Sequence, residues 1–351
     1  MKISFIINEP VQDANGGYKM VYMYANSLVH SGHDVSIYYL CRKGRLFTNY
    51  RMPFGVKLEV ARFLARKGPK WFSLDKKVNG IVITKISNET INNADAVIAT
   101  AVNTALPVSK LNANKGEKAY FIQDFENWEI SDEEVYDTYA LGMKNIVVSK
   151  WLKEIVDKYS KEEAIVVSNG IDTNIFYNKN HKRKKHSIVL QYRKKAYKGP
   201  EYAMETIKKL NTIYPDLSVS IISVDTPPVD LPSCCIYYQS ITPEKVAEIN
   251  NTCSVFMCTS IKEGYGLPGL EAMACGCVVC SSGYKGVFEY AENEINSLIS
   301  PVKDSDEMVK NICRAFEDDA LRNRIIENAI LTGKEKSQEK MAALFESILI
   351  S

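Results

Sequence analysis

Glu263-Gly264-Tyr265-Gly266-Leu267-Pro268-Gly269-Leu270-Glu271 constrains the fold of this chain more than any other stretch. The apolar run Cys253 to Cys258 precedes it. Its length and its β-branched and aromatic content suit a buried strand. Pro268 fits the first position of a helix, where its missing N–H costs nothing. Leu270 to Cys275 continue that helix, and Gly276 ends it. The stretch therefore reads as strand, glycine turn, helix. Backbone N–H groups and a positive helix end then surround Gly264 to Leu267, a ready anion site. Glu263 falls at the strand tip and Glu271 one turn inside the helix, so both can face a ligand held at the turn.

The pattern Gly264-x-Gly266-x-x-Gly269 also matches the dinucleotide fingerprint. That fingerprint normally follows the first strand of its domain, with an acid about 20 residues on at a strand end. Glu289 has the spacing, but it follows Ser281-Ser282-Gly283-Tyr284-Lys285-Gly286, which reads as loop or helix. The whole string from Glu263 to Gly276, EGYGLPGLEAMACG, closely resembles the donor-site signature of the retaining glycosyltransferases of family 4. In that family a Glu-x7-Glu pair frames the site, here Glu263 and Glu271. The resemblance implies that Glu263 faces the transferred sugar and that Glu271 accepts hydrogen bonds from the ribose hydroxyls. It also implies that backbone N–H groups of Gly264, Tyr265, Gly266 and Leu267 meet the diphosphate and sugar. The implied fold is α/β, with two Rossmann-like domains facing each other across a cleft (the glycosyltransferase B fold).

A chain of 351 residues exceeds the usual single-core size and suggests two domains. Its 46% hydrophobic and 25% charged residues are ordinary for a soluble globular protein. A net charge of +2 argues against a dedicated nucleic-acid binder. No run of 18 apolar residues appears, and Met1 to Asn8 is too short and strand-like for a signal peptide, so a cytoplasmic protein is expected. Cys275, Cys277 and Cys280 cluster, but none of the four histidines lies near them, and buried reduced thiols are the better reading.

Ile3 to Ile7, a Gly16-Gly17 turn, a helix over Tyr18 to Leu28 and the strand Val35 to Leu40 make a βαβ unit. It resembles the opening of the same family, in which the glycine pair, here with Gly17, sits beside the donor phosphates and the acceptor. Residues 41–78 hold eleven Lys or Arg and two acids, a local charge of +9, interleaved with six aromatic residues. That composition suits an anionic membrane surface, a cleft for an anionic acceptor, or a solvated basic loop. Strands are expected near 94–100 and 119–123, with Gln123-Asp124 at a strand tip. Many family members carry a histidine where Gln123 stands. Tyr120 to Trp128 somewhat resembles bacterial rhamnosyltransferases of this fold. Tyr177 to His186, polar and basic, reads as an interdomain linker.

The domains are thus expected over 1–178, on the acceptor side, and 186–331, on the donor side. A last helix, about 332–351, would cross back to the first. Arg193 and Lys198 follow the strand Ser187 to Gln191 and resemble the family's cations that clamp the donor diphosphate, with Lys194 and Lys195 as alternatives in register. Cations are needed there because negative charge builds on the leaving nucleotide. By resemblance the backbone near Ser240 and Ile241 would contact the base. Asp304-Ser305-Asp306 reads as a helix N-cap.

Taken together, the expected activity is transfer of a sugar from a nucleoside diphosphate sugar to a hydroxyl of a glycan or lipid-linked acceptor. Family resemblance implies retained configuration, in the setting of cell-surface polysaccharide synthesis. No cofactor and no metal are expected to be needed, and no nucleic-acid partner. The expected location is cytoplasmic, with association to the inner face of the membrane. Two other classes stay open: an epimerase of the same fold, which would convert donor without acceptor, and a noncatalytic nucleotide-sugar-binding protein.

Overall fold

The computed structural model describes residues 1–11, 14–48 and 50–350. The chain divides into two compact units, Met1–Ser168 with Met341–Ser351, and Asn169–Lys340.

The first unit is built from β1 (Lys2–Asn8), α1 (Gly16–His30), β2 (Asp34–Leu40), α2 (Phe54–Lys67), β3 (Asn79–Ile83), β4 (Ala96–Ala99), α3 (Val102–Ser109), β5 (Glu117–Ile122), α4 (Asp132–Tyr139), β6 (Lys144–Val147), α5 (Lys150–Val156) and β7 (Ile165–Val166). All its strands pair in parallel, in the order β3-β2-β1-β4-β5-β6-β7. Parallel strands buried on both faces need near-continuous apolar runs. Ile3, Phe5, Ile6 and Ile7 of β1 and all four residues of β4 meet that need.

The second unit contains β8 (Lys184–Gln191), α6 (Pro200–Ile213), β9 (Ser218–Ser223), β10 (Cys235–Gln239), α7 (Pro243–Thr252), β11 (Cys253–Cys258), α8 (Leu267–Ala274), β12 (Val278–Ser282), β13 (Leu298–Ser300), α9 (Ser305–Glu317) and α10 (Asp319–Glu335). Its parallel sheet runs β10-β9-β8-β11-β12-β13. Ile188, Leu190, Ile221, Val255, Met257 and Val278 fill its core with Ile312 and Phe316 of α9. Asp304 caps α9, accepting the Glu307 N–H at 2.8 Å. Each sheet with its helices is a parallel, Rossmann-like α/β unit.

Three sequence expectations need correction. Gly16 and Gly17 do not form a turn before α1; they are its first residues. Asn15 is the cap, and its Oδ1 accepts the N–H groups of Gly17 (3.0 Å) and Tyr18 (3.3 Å). The boundary falls at Ser168, not near residue 178, and residues 177–186 are no loose linker. Arg183 donates to the carbonyls of Asn250 (2.7 Å) and Cys253 (2.5 Å) and to that of Cys275, closing the ends of α7 and α8. Asn251 donates to Tyr177 O at 3.0 Å and accepts from Lys179 N at 2.7 Å. The aromatic residues of 41–78 also have divided roles. Trp71 and Phe72 lie 5.8 and 5.7 Å from the buried Tyr22 ring, whereas Tyr50 and Phe63 are exposed.

The cysteines 275, 277 and 280 are buried. Burial pushes the Cys275 thiol up to about 12 and raises Cys277 and Cys280 as well. Among the described residues, no helix is long and apolar enough to cross a membrane.

The last helix, α11 (Gln338–Ile350), starts in the second unit, and from Met341 onward it belongs to the first. Phe345 is fully buried there, stacked on Tyr24 at 4.2 Å and edge-on to Phe121 at 5.5 Å. Glu346 accepts from Ser31 Oγ at 2.8 Å and pairs with His33 at 2.9 Å. All three tryptophans, at 71, 128 and 151, lie in the first unit, so their emission reports on that unit alone. We expect Phe345→Ala to cost about 3–5 kcal/mol, measured as a lower urea midpoint by tryptophan emission. A midpoint equal to that of the parent would mean that α11 does not stabilise the first unit.

Candidate functional site

In an open parallel sheet, ligands bind beyond the carboxyl ends of the strands, where the strand order reverses. In the second unit that point lies between β8 and β11. The connection after β8 carries Arg193 and Lys198; the one after β11 carries Glu263 and the glycine turn. The connections that carry these sequence-derived candidates thus flank the place where the topology opens the second unit's sheet, and Lys198 and Glu263 meet there.

The meeting is direct. Lys198 Nζ lies 2.9 Å from Glu263 Oε2, and Ser260 Oγ donates to Glu263 Oε1. Burial alone would lower the Lys198 ammonium, but the charge and hydrogen bond of Glu263 outweigh it, and its pKa lies above the ordinary lysine value. The two connections are also sewn together by backbone bonds. Ile261 N donates to Tyr197 O at 2.8 Å, and Thr259 Oγ1 donates to Gly199 O at 2.9 Å. Arg193 is half-buried, whereas Lys194 is turned aside, its N–H donating to Asp225 and its ammonium to Thr226. Lys195 is exposed, with its ammonium over the Tyr197 ring.

The glycine turn is held from beneath. Gly266 has φ +92°, a left-handed conformation that favours glycine. A Cβ there would lie 1.9 Å from the Tyr284 hydroxyl. Tyr290 donates to Gly266 O at 2.7 Å, and its ring lies 5.5 Å from that of Tyr265. On the other side Gly264 backs onto Gly286, where a Cβ would come within 2.6 Å of the Gly264 carbonyl carbon. The loop is therefore set by packing before any ligand arrives. Leu267 opens α8, Glu271 lies one turn on and is only 5% exposed, and Gly276 ends the helix at φ +85°. Ile241 is half-buried and follows Ser240, whose φ of +51° is strained for a residue with a side chain.

Gly17 belongs to the first unit. Its N–H is taken by Asn15, and its carbonyl accepts from Gln123 Nε2 at 3.1 Å. The sequence reading missed Ser260, Tyr284 and Tyr290. Ser260 stands only three residues before Glu263, but nothing in a sequence marks the tyrosines as supports for the turn.

Glu126 was also missed, just past the strand tip at Gln123. Its Oε2 accepts the Val102 N–H at 2.7 Å. Burial, with Asp124 adding in the same sense, pushes its carboxyl up to about 7 against the pull of the Val102 hydrogen bond.

Residues 229–332 match the family model for glycosyl transferases group 1. An uncharacterized glycosyltransferase of Methanocaldococcus jannaschii is 25% identical over 209 residues, which is 56% of each chain. The N,N'-diacetylbacillosaminyl-diphospho-undecaprenol alpha-1,3-N-acetylgalactosaminyltransferase of Campylobacter jejuni is 31% identical over 84 residues, 24% of this chain and 22% of the relative. The alignments thus span about half and about a fifth of these curated relatives. Among solved structures, sucrose-phosphate synthase of Thermosynechococcus elongatus has a TM-score of 0.74 at 15% identity, covering 99% and 98% of the two chains. Anabaena HepE, solved with UDP-glucose, has a TM-score of 0.72 at 14% identity, covering 99% of each.

The raised Glu126 pKa has a consequence for stability. A carboxyl raised in the folded state binds its proton there while the unfolded chain has lost it. The contribution of Glu126 to folding stability therefore falls as pH rises from about 4.5 to about 7. Glu126→Gln removes this loss and keeps an acceptor for Val102. We expect the variant to gain about 2–3 kcal/mol on the parent between pH 5 and pH 8. A stability difference that does not change with pH, in urea titrations at both values, would mean Glu126 is ionised when folded.

The whole chain has the glycosyltransferase B fold, and residues 229–332, which include Glu263, the glycine turn and Glu271, match the group 1 glycosyltransferase family model.

Proposed function

We propose that this protein is a retaining glycosyltransferase that moves a sugar from a nucleoside diphosphate sugar to a hydroxyl of a glycan or lipid-linked acceptor. The observation that carries the reading is the Lys198–Glu263 pair at the switch point, beside a pre-set glycine turn. The group 1 match and the names of the two curated relatives point the same way. The UDP-glucose complex of Anabaena HepE favours a uridine donor, and the Campylobacter relative's name concerns a lipid-linked substrate.

In this reading the diphosphate sits over the turn, against Arg193 and Lys198. The bond from the anomeric carbon to the phosphate oxygen breaks, and the acceptor oxygen bonds to the same face of that carbon. The acceptor proton goes to an oxygen of the departing phosphate, so no side chain is needed as base. Arg193 and Lys198 offset the charge that builds on the leaving group, and stabilisation present only then raises the rate rather than mere binding. These cations make a metal unnecessary. Phosphate competes with Glu263 for Lys198, which leaves the Glu263 carboxylate to accept hydroxyl hydrogens of the sugar. Glu271 holds the ribose.

The acceptor's setting is the inner face of a membrane, in cell-surface polysaccharide assembly. On α2, Val56 and Phe63 are exposed next to Arg62, Arg66 and Lys67. Apolar side chains flanked by cations suit an anionic lipid surface.

A thermal-shift panel of UDP-, GDP-, dTDP- and ADP-sugars, with and without magnesium, tests the donor site. We expect a metal-independent rise with one nucleotide family, because a ligand bound only to the folded state stabilises it by mass action. A hydrogen bond to a charged group is worth about 1.5–3 kcal/mol, so Glu271→Ala should raise the donor KM by about 10- to 150-fold. A flat panel would remove the donor-site reading, and parent-like kinetics in the variant would remove the ribose assignment. For the membrane, the protein should sediment with phosphatidylglycerol vesicles at low salt and be released by high salt. Equal sedimentation with and without vesicles would remove that surface.

A further inference from the structure

Cys234 and Cys235 stand side by side at the start of β10, and the proposed mechanism uses neither. Neighbours in an extended strand point to opposite faces, which would keep their sulfurs apart. A turn prevents that here. Cys235 N donates to Pro232 O at 2.9 Å, so Pro232, Ser233, Cys234 and Cys235 make a β-turn with Cys234 at its third position. The turn is also fixed to the neighbouring strand, where Val219 N donates to Cys234 O at 2.9 Å. Both side chains then pack against the core of the second unit, with their Sγ atoms 3.9 Å apart. Both thiols are free and half-buried, next to the exposed Ser233, so a small reagent can reach them.

Burial, then the neighbouring Cys234 thiol, pushes Cys235 up to about 12, so Cys235 stays protonated near neutral pH. Cys234 is therefore the thiol that attacks. Its thiolate bonds to one sulfur of a small disulfide, the S–S bond of that molecule breaks, and the other half leaves as a thiolate. The charge of Cys234 is then gone, and with it that part of the rise at Cys235. Cys235 Sγ next attacks Cys234 Sγ, gives its proton to the departing thiolate, and expels the second half. Two protein thiols become one disulfide, and one small disulfide becomes two small thiols. The sulfur already in contact outcompetes a second small thiol because it reacts within the chain.

We propose that Cys234 and Cys235 are a reversible modification site, which a low-molecular-weight disulfide closes into a vicinal disulfide. Reversal follows from the spacing of the chain. Consecutive Cα atoms lie about 3.8 Å apart, against about 4.4–6.8 Å in most disulfides, so the ring is strained and easily reduced. The pair lies at the far end of β10 from Ser240 and Ile241, about 16 Å away at about 3.3 Å per residue. The site is thus separate from the donor site, and the proposal does not rest on the glycosyltransferase reading.

The test treats the reduced full chain with oxidised glutathione at neutral pH, blocks the remaining thiols and measures mass. Cleavage after lysine and arginine releases residues 210–245, whose only cysteines are Cys234 and Cys235. We expect this peptide to lose the mass of two hydrogens and to carry no glutathione, and reduced glutathione to restore it. In Cys235→Ser the glutathione should stay on Cys234, whereas Cys234→Ser should react about tenfold more slowly or less. In urea, where the turn is gone, glutathione adducts should replace the ring. A parent peptide that keeps glutathione, or that stays fully reduced, overturns the proposal. So does a ring that forms as fast in urea as in the folded chain. These readings come from the parent and stand even if a variant fails to fold.

Discussion

The ion pair of Lys198 with Glu263 is the contact on which the second unit's site depends. It joins the connection after β8 to the connection after β11, on either side of the point where strand order reverses. Either charge left alone at this depth would be costly. Each therefore holds the other in place, and both stay at the edge where a diphosphate would arrive. The site is poised, because the same lysine that neutralises a carboxylate in the free chain is the cation a phosphate would seek. In the proposed reading, ligand binding is an exchange of partners rather than the creation of a new buried charge.

Around that pair the turn is rigid for steric reasons. The Tyr290 hydroxyl takes the Gly266 carbonyl, Tyr284 excludes any side chain at Gly266, and Gly286 lets a second stretch of backbone lie against Gly264. A preformed loop loses little freedom on binding, and less freedom lost means more of the contact energy retained as affinity. Ser240, held at positive φ between β10 and α7, shows the same economy in a different strand connection.

Much of this was legible in the sequence. The run from Cys253 to Gly276 gave strand, turn and helix almost to the residue, because proline, glycine and a six-residue apolar run are strong local signals. The glycine pair at 16 and 17 misled for a local reason too: glycine suggests a turn, but the Asn15 side chain closes a helix start and draws both glycines into it. Residues 177–186 misled because polar and basic composition suggests a linker. Composition does not show that Arg183 is spent on three helix-end carbonyls. The Lys198–Glu263 pairing and the tyrosines beneath the turn were out of reach. Each depends on segments far apart in the chain being brought together, which no local pattern encodes.

The final helix has an implication for how the molecule is made. The first unit is not complete when its first 168 residues have left the ribosome, because Phe345 has yet to be synthesised. Until then the faces of Tyr24, Phe121 and Phe5 that it covers stay open to solvent or to other chains. The second unit, whose residues are contiguous, can finish folding first. The second unit can thus be complete before the first, and the nascent first unit passes through a stage in which part of its own core is open to mistaken association.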